Sequence, residues 1–468
     1  MPSTAFPRIV FLALVYFLGS AQAPAAEPKL LVKNAFLITM APDQKKPFVG
    51  YLLIDVRGQL LQVGAGEPPA KVAAQQTWDA HGEWIIPGFL SAHSHLWQSA
   101  FRGIAADKTL PGWIDELYNQ RARFAKADDY YWFTLLGALD HLEHGITAAY
   151  DFSYGGALGG LCKENDCDEA SFRAEMDSGI RFIHGYQPDK IAADDTPAMA
   201  MDRLKKFVDW TNAKPRSTQF LSIMLNGSTS FNDTYQQSVS EKQQMDAFHL
   251  GNQSHYLEPP ETVGIEQSKF RWFMDSGLLG PTLYFGHFIH ANDFILDQVA
   301  AVHGGMSWNP LSNGRLASGV ADIPKYLKRG IRVGMGVDGE ASADLADPFE
   351  NMRTGLYAIR DKYEDATIMS PYQVLYLHTM GSADVMGVKD KVGSLEPGKF
   401  ADFVVIDPGR LGTINDPYAN LVLVAAERDI DRVYVGGELK VERGKLLHQD
   451  WEAINAEVNR RAAATLQH

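Results

Sequence analysis

Cysteine is nearly missing from this chain of 468 residues: Cys162 and Cys167, in GGLCKENDCDEA, are the only two. Two sulfurs cannot build a cysteine-rich zinc module, and the H-x-E…P-C-x-x-C signature of a cysteine-liganded zinc site is absent as well. In an oxidising compartment the pair would close a small loop; two free thiols fit the spacing equally well. Positive charge is also short, with 43 Lys and Arg against 57 Asp and Glu and a formal net charge of -14. That balance, without a clustered basic stretch, excludes a nucleic-acid groove and an anionic membrane face. Repeats at solenoid or propeller spacing are lacking. Disorder is excluded too, because 46% hydrophobic residues suffice for a large core.

Long hydrophobic runs are confined to the start. Arg8 precedes IVFLALVYFLGSA, which is shorter than a membrane span, and Ala23-Pro24-Ala25 offers a small-x-small cleavage pattern. Residues 1–25 therefore read as a signal peptide of a periplasmic or secreted protein that is not held in a membrane after cleavage. No cysteine follows the run to carry a lipid anchor.

What remains alternates in two ways. Residues 26–86 and 387–450 carry short period-two runs such as KLLVKNAFLITM and FADFVVID, punctuated by Gly, Pro and Asp, and predict one small β-sandwich assembled from both chain ends. Residues 87–386 alternate helical patterns with the runs FLSAHSH, TAAYDF, IRFIHGY, QFLSIMLN, SHYLE, TLYFGH, GGMSWNP and IRVGMGVD. Eight such units predict an α/β fold of the (β/α)₈ TIM-like barrel type, with its chemistry at the C-terminal strand ends. Residues 451–468 are left as a C-terminal helix or tail.

The polar residues at those strand ends stand out. In PGFLSAHSHLWQSAFRG, strand alternation sends His93 and His95 to one face and Ser94 to the other, a pincer that suits a borderline divalent ion. GNQSHYLEPPE puts His255 late in a strand and Glu258 just beyond it, where Pro259 and Pro260 stop the ladder and let the carboxyl swing back. His249 and Asn252 compete, but Val239, Met245, Phe248 and Leu250 form a helical stripe halted by Gly251, which leaves His249 in a last helical turn. His287 closes TLYFGH and Asp338 closes IRVGMGVDG. Alone, the first reads as a core histidine and the second as an Asp-Gly turn. Together with the others they converge on one barrel axis. His141 and His144 precede Gly145 at a helix end and read as helix-terminal groups. Trp97, Gln98, Trp113 and Trp308 are placed in sequence to stack on or hydrogen-bond a substrate, with ordinary loop packing as the competing reading. The glycine-rich YGGALGGLC after the second strand reads as a mobile lid and not as a phosphate cradle, for which it lacks the strand-to-helix context.

The order H-x-H, H-x-x-E, H, D on successive strands resembles the amidohydrolase superfamily, in its cytosine-deaminase-like and triazine-hydrolase-like branch. IIPGFLSAHSHLWQSAFRG, LPGWIDEL, LDHLEHGITAAYDF, NPLSNGRLASGVADIPKYLKRGIRVGMGVDGEASAD and VGSLEPGKFADFVVID are each similar to its motifs, in the same order. The resemblance implies that His93, His95, His255 and Asp338 hold one divalent ion, zinc first, with iron(II), cobalt and manganese as alternatives. Members with two metals commonly bridge them by a fourth-strand lysine, and QFLSIMLN has none. Two departures lie near the pocket: SWNP stands where histidine-cysteine-proline is often seen, and VDG where threonine-aspartate-glycine is usual.

Such a set lets the ion lower the pKa of a water and make it a nucleophile. Asp338 would take the water's proton, His287 stabilise the oxyanion or orient the water, and Glu258 carry a proton to the leaving nitrogen. The expected function is hydrolysis of a non-peptide C–N bond in a small molecule, of amide, urea or carbamate type. The alternative is deamination of a cyclic amidine such as a pterin, purine or triazine; export favours the former. A secreted binding protein without turnover is the remote third reading. A homo-oligomer is compatible with the sequence.

Overall fold

The computed structural model describes residues 27–153, 161–187 and 196–466; residues 1–25, expected to form a signal peptide, and most of YGGALGGLC lie outside them. One parallel sheet dominates: β1 (Phe89–His95), β2 (Ile146–Phe152), β3 (Arg181–Tyr186), β4 (Phe220–Gly227), β5 (Gly251–Tyr256), β6 (Leu283–His287), β7 (Gly305–Trp308), β8 (Arg332–Met335) and β9 (Asp338–Gly339). Its order is β8-β7-β6-β5-β4-β3-β2-β1-β9, so β1 to β8 lie side by side in sequence order and β9 lies on the far side of β1. Every residue of β1, β2 and β3 is buried, which suits strands covered on both faces. Helices connect them. Pro197–Asn212 illustrates why: Thr196 accepts from the Met199 amide, Pro197 opens the first turn, and Leu204 and Phe207 turn inward.

The sheet curls, and the chain leaving β8 returns to β1. After Met335 the chain crosses Gly336 and Val337, and β9 then pairs with β1 as Asp338↔Ser94 and Gly339↔His95. Ser91 ties this junction, its Oγ accepting from the Val337 amide at 3.1 Å and donating to the His93 carbonyl at 2.8 Å. Gly336 is needed there, because a Cβ would lie 2.7 Å from the His93 backbone. The molecule is thus a mixed α/β fold around a curled parallel sheet of nine strands.

Both chain ends build a second nine-stranded sheet. The N-terminal strands join the C-terminal ones where Trp84–Pro87 pairs antiparallel with Phe403–Ile406. Val32, Ile54, Ile85, Phe403 and Val405 fill its own apolar cluster. The last helix, Trp451–Ala464, packs back through an Arg461 to Asp129 ion pair at 2.7 Å. Among the described residues no helix is long and apolar enough to cross a membrane.

Local details sharpen the sequence reading. The helix Tyr235–Phe248 ends in an exposed, left-handed His249 at φ 55°, and Gly251 opens β5 rather than only halting the helix. Cys162 and Cys167 are joined by a disulfide, which resolves the two alternatives left open above.

Candidate active site

Alternation along β1 brings the His93 and His95 rings to one side, with centroids 4.8 Å apart. His255 arrives from β5, 4.5 Å from His93 by ring centroid. Asp338, at the head of β9, adopts φ 62°, a left-handed conformation that costs a non-glycine residue energy and is held by the β1 pairing. One ligand atom from each of His93, His95, His255 and Asp338 lies within 4.8 Å of the others, and all four residues are buried.

Hydrogen bonding behind the rings decides which nitrogen faces inward. Gln253 donates its Nε2 to the Ala92 carbonyl at 2.7 Å, which turns its Oε1 toward His93 Nδ1 as an acceptor. His95 Nδ1 faces the Phe152 carbonyl at 2.8 Å, and a carbonyl can only accept. Both protons therefore sit on Nδ1, and both Nε2 lone pairs point at Asp338 Oδ1, from 3.3 and 3.2 Å. His93 Nε2 and Asp338 Oδ1 have no hydrogen bond. Electron-pair donors converging in a buried space repel unless a cation lies between them, so the donor set fits a divalent metal ion.

Two further groups face the same point. Burial pushes the His287 pKa down to about 3, with Asp338 opposing and the neighbouring histidines assisting, so this ring stays neutral. Asn313 Nδ2 donates to His287 Nδ1 at 2.8 Å, and Asn309 Nδ2 lies 3.4 Å from the same atom. The ring proton is then on Nε2, 4.0 Å from Asp338 Oδ2. Glu258 follows the end of β5 through a left-handed Leu257 at φ 56°, and its Oε1 lies 3.6 Å from His287 Nδ1. Burial, and after it the Asp338 charge, raises the Glu258 pKa well above the usual carboxyl range. His255 is driven the opposite way, by burial and then by the adjoining rings.

A cavity of about 260 Å³ opens over these groups. His95, His255, Glu258, His287 and Asp338 form its floor, and Leu110, Trp113, Ile114, Phe231 and Leu316 much of its wall. Of the four side chains expected to meet a substrate, only Trp113 lines it. Trp97 is packed among Phe101, Tyr118 and Tyr130, because the short helical turn Leu96–Phe101 directs it into the core. Gln98 donates to Tyr118 Oη at 3.0 Å, behind the wall. Trp308 is buried against Gly355, where a Cβ would touch its ring at 2.6 Å. The sequence reading also passed over Gln253, Asn309 and Asn313. Gln253 was legible, since it precedes His255 by two and so shares its face; the asparagines lie in NPLSNGR, beyond the strand end at Trp308.

A curled parallel α/β sheet whose strand ends gather three histidines and an aspartate able to hold a metal, beside a buried carboxyl, defines a metal-dependent hydrolase of C–N bonds. The model of the amidohydrolase family matches residues 84–440, and the chain belongs to that family. The chain is 28% identical over 452 residues to a 5-methylthioadenosine/S-adenosylhomocysteine deaminase of Desulforudis audaxviator, covering 94% of this chain and 99% of that protein. The namesake enzyme of Symbiobacterium thermophilum is 28% identical over 454 residues, with 94% and 99% covered. By fold it is similar to a zinc-bound adenosine deaminase from Xanthomonas campestris, with TM-score 0.82, 18% identity, and 95% and 100% of the two chains covered. A zinc complex of atrazine chlorohydrolase from Arthrobacter aurescens has TM-score 0.80, 21% identity, and 92% and 100% covered.

Proposed function

We propose that this protein is a zinc-dependent aminohydrolase that releases ammonia from a cyclic amidine, a carbon in an aromatic heterocycle flanked by ring nitrogen and bearing an amino group. The observation that carries it is Glu258, its pKa raised by burial, 3.6 Å from the neutral His287 and beside the His₃Asp set. A proton donor of that kind suits protonation of an amidine nitrogen and departure of ammonia. The deaminase names of the relatives support the same reading. The amide, urea or carbamate preference rested on export alone and gives way to it.

In this reading His93, His95, His255 and Asp338 would hold zinc, which supplies electrophilic activation of the attacking water when bound. The carboxylate of Asp338 accepts the water's proton; Ser342 Oγ, donating to its Oδ2 at 3.0 Å, fixes its orientation. His287 Nε2–H donates to the oxygen as it joins the carbon. Glu258 gives its proton to the ring nitrogen and Asp338 passes the water's proton to the amino group, so one C–O bond forms, one C–N bond breaks and ammonia leaves, while the remaining hydroxyl proton returns to Glu258 as the carbonyl forms. Asn313 keeps His287 in the tautomer that has a proton to offer.

The proposal extends to architecture and location: the curled sheet acts as an eight-unit barrel, the second sheet folds over its core as a sandwich, and residues 1–25 direct export. The test is ammonia release by the zinc-loaded chain from aminated purines, pterins and triazines. Ammonia in step with loss of substrate is expected; amine release from ureas, amides or carbamates, with every heterocycle untouched, would contradict it.

A further inference from the structure

We infer that the substrate is an uncharged aminated heterocycle carrying an apolar substituent, and that anionic analogues are excluded. This rests on the deaminase reading for the reacting end, and on the upper cavity for the rest. Among the described residues lining the cavity there is no Lys or Arg; the carboxyls there are Glu258 and Asp338, both at the reacting end. A carboxylate on the substituent, enclosed by this wall, would lose water and meet no cation among the described lining residues. Burying such a charge unpaired is costly.

Several polar atoms of the wall are already engaged. Trp113 Nε1 donates to the Ala341 carbonyl at 2.6 Å, which leaves the indole its hydrocarbon surface for the cavity. Ser342 Oγ donates to Asp338 and lies 3.0 Å from the Gly339 carbonyl, and Ser228 Oγ donates to buried Glu241 at 3.3 Å. Tyr118 Oη accepts from Gln98. Leu110, Trp113, Ile114, Phe231 and Leu316 give the rest of the cavity a largely carbon surface, with the Gln187 amide as its remaining polar side chain.

At the mouth this carbon is open to water. Phe231 is 53% exposed and Ile114 36%, although both line the cavity. Phe231 is not on a loose strand end: its amide donates to the Ser228 carbonyl at 2.9 Å, and Ser230 Oγ donates to the carbonyl of His255 at 2.6 Å. A fixed aromatic ring 6.1 Å from the His255 ring, left half in water, gains by being covered by an apolar group that reaches out from the reacting centre.

The test is calorimetric binding to the zinc-loaded full chain of two aminotriazines, one bearing a hexylamino arm and one a 5-carboxypentylamino arm. Tighter binding of the hexyl compound by about 20-fold or more is expected. Leu110→Arg, or Ile114→Arg if the first variant fails to fold, places a cation in the wall and is expected to shrink that ratio by about tenfold. Equal affinity, absence of hexyl binding, or a ratio unmoved by the folded arginine variant overturns the inference. Ammonia release is read separately, so hexyl preference without any deamination would sink the deaminase reading and leave the cavity assignment standing.

Discussion

His95 Nε2 stands 3.2 Å from Asp338 Oδ1, and with the ring proton committed to the Phe152 carbonyl neither atom has a hydrogen to share. A cation between them would turn a repulsive contact into a link across the junction of β1 and β9. The chain is therefore expected to melt several degrees lower in excess chelator, and to regain its melting temperature on zinc addition. An ion present at about 1,000 times its Kd adds roughly 4 kcal/mol of stability by mass action. Scanning fluorimetry reads this, and unchanged melting with and without metal would count against the site.

Gln253→Leu removes the acceptor that fixes the His93 tautomer. Zinc affinity is expected to fall by about 10- to 100-fold, the usual cost of losing a group behind a histidine ligand. Competition with a chromophoric chelator measures it, with circular dichroism to show that the fold is kept.

Glu258 supplies the clearest pH signature. Folding raises its pKa by burial, so its neutral form is the favoured one, and its contribution to stability is complete below the unfolded value of about 4.3 and lost as pH rises through the folded pKa. Glu258→Gln is expected to cut kcat by about 10²- to 10⁴-fold with zinc content unchanged. It should also abolish the alkaline limb of the pH profile and raise the melting temperature most at high pH. His287 moves oppositely: lowered to about 3, it gives stability that is lost as pH falls below its unfolded value, and it contributes no protonation step to activity near neutrality.

Much of this site was legible before folding was considered. Strand alternation alone predicted a shared face for His93 and His95, and the double proline after Glu258 predicted a strand end where β5 stops at Tyr256. The break between β8 and β9 was not legible, because it depends on Gly336 clearing the His93 backbone and on Ser91 bridging to Val337, partners 246 residues apart. Trp97 and Gln98 misled for a related reason. Their closeness in sequence to His95 says nothing about direction once the strand gives way to a helical turn, which buries both. Asn309 and Asn313 escaped because a side-chain amide is informative only when its partner, here His287, is known in space.

Ser91 follows directly. Ser91→Ala leaves the buried Val337 amide without its acceptor and loosens the register that sets Asp338 against His93 and His95. A loss of about 1–3 kcal/mol in chemical denaturation is expected, together with weaker zinc binding. A stability loss with zinc affinity unchanged would confine Ser91 to a structural role.

Zinc-edge X-ray absorption of the loaded chain tests the ion and its ligands at once. The expected spectrum has a nitrogen and oxygen first shell at about 2.0–2.1 Å, multiple scattering from three imidazoles, and no second metal near 3.5–4 Å. A sulfur shell, a metal–metal distance, or an imidazole signal unchanged in His255→Ala would contradict a lone cation held by His93, His95, His255 and Asp338.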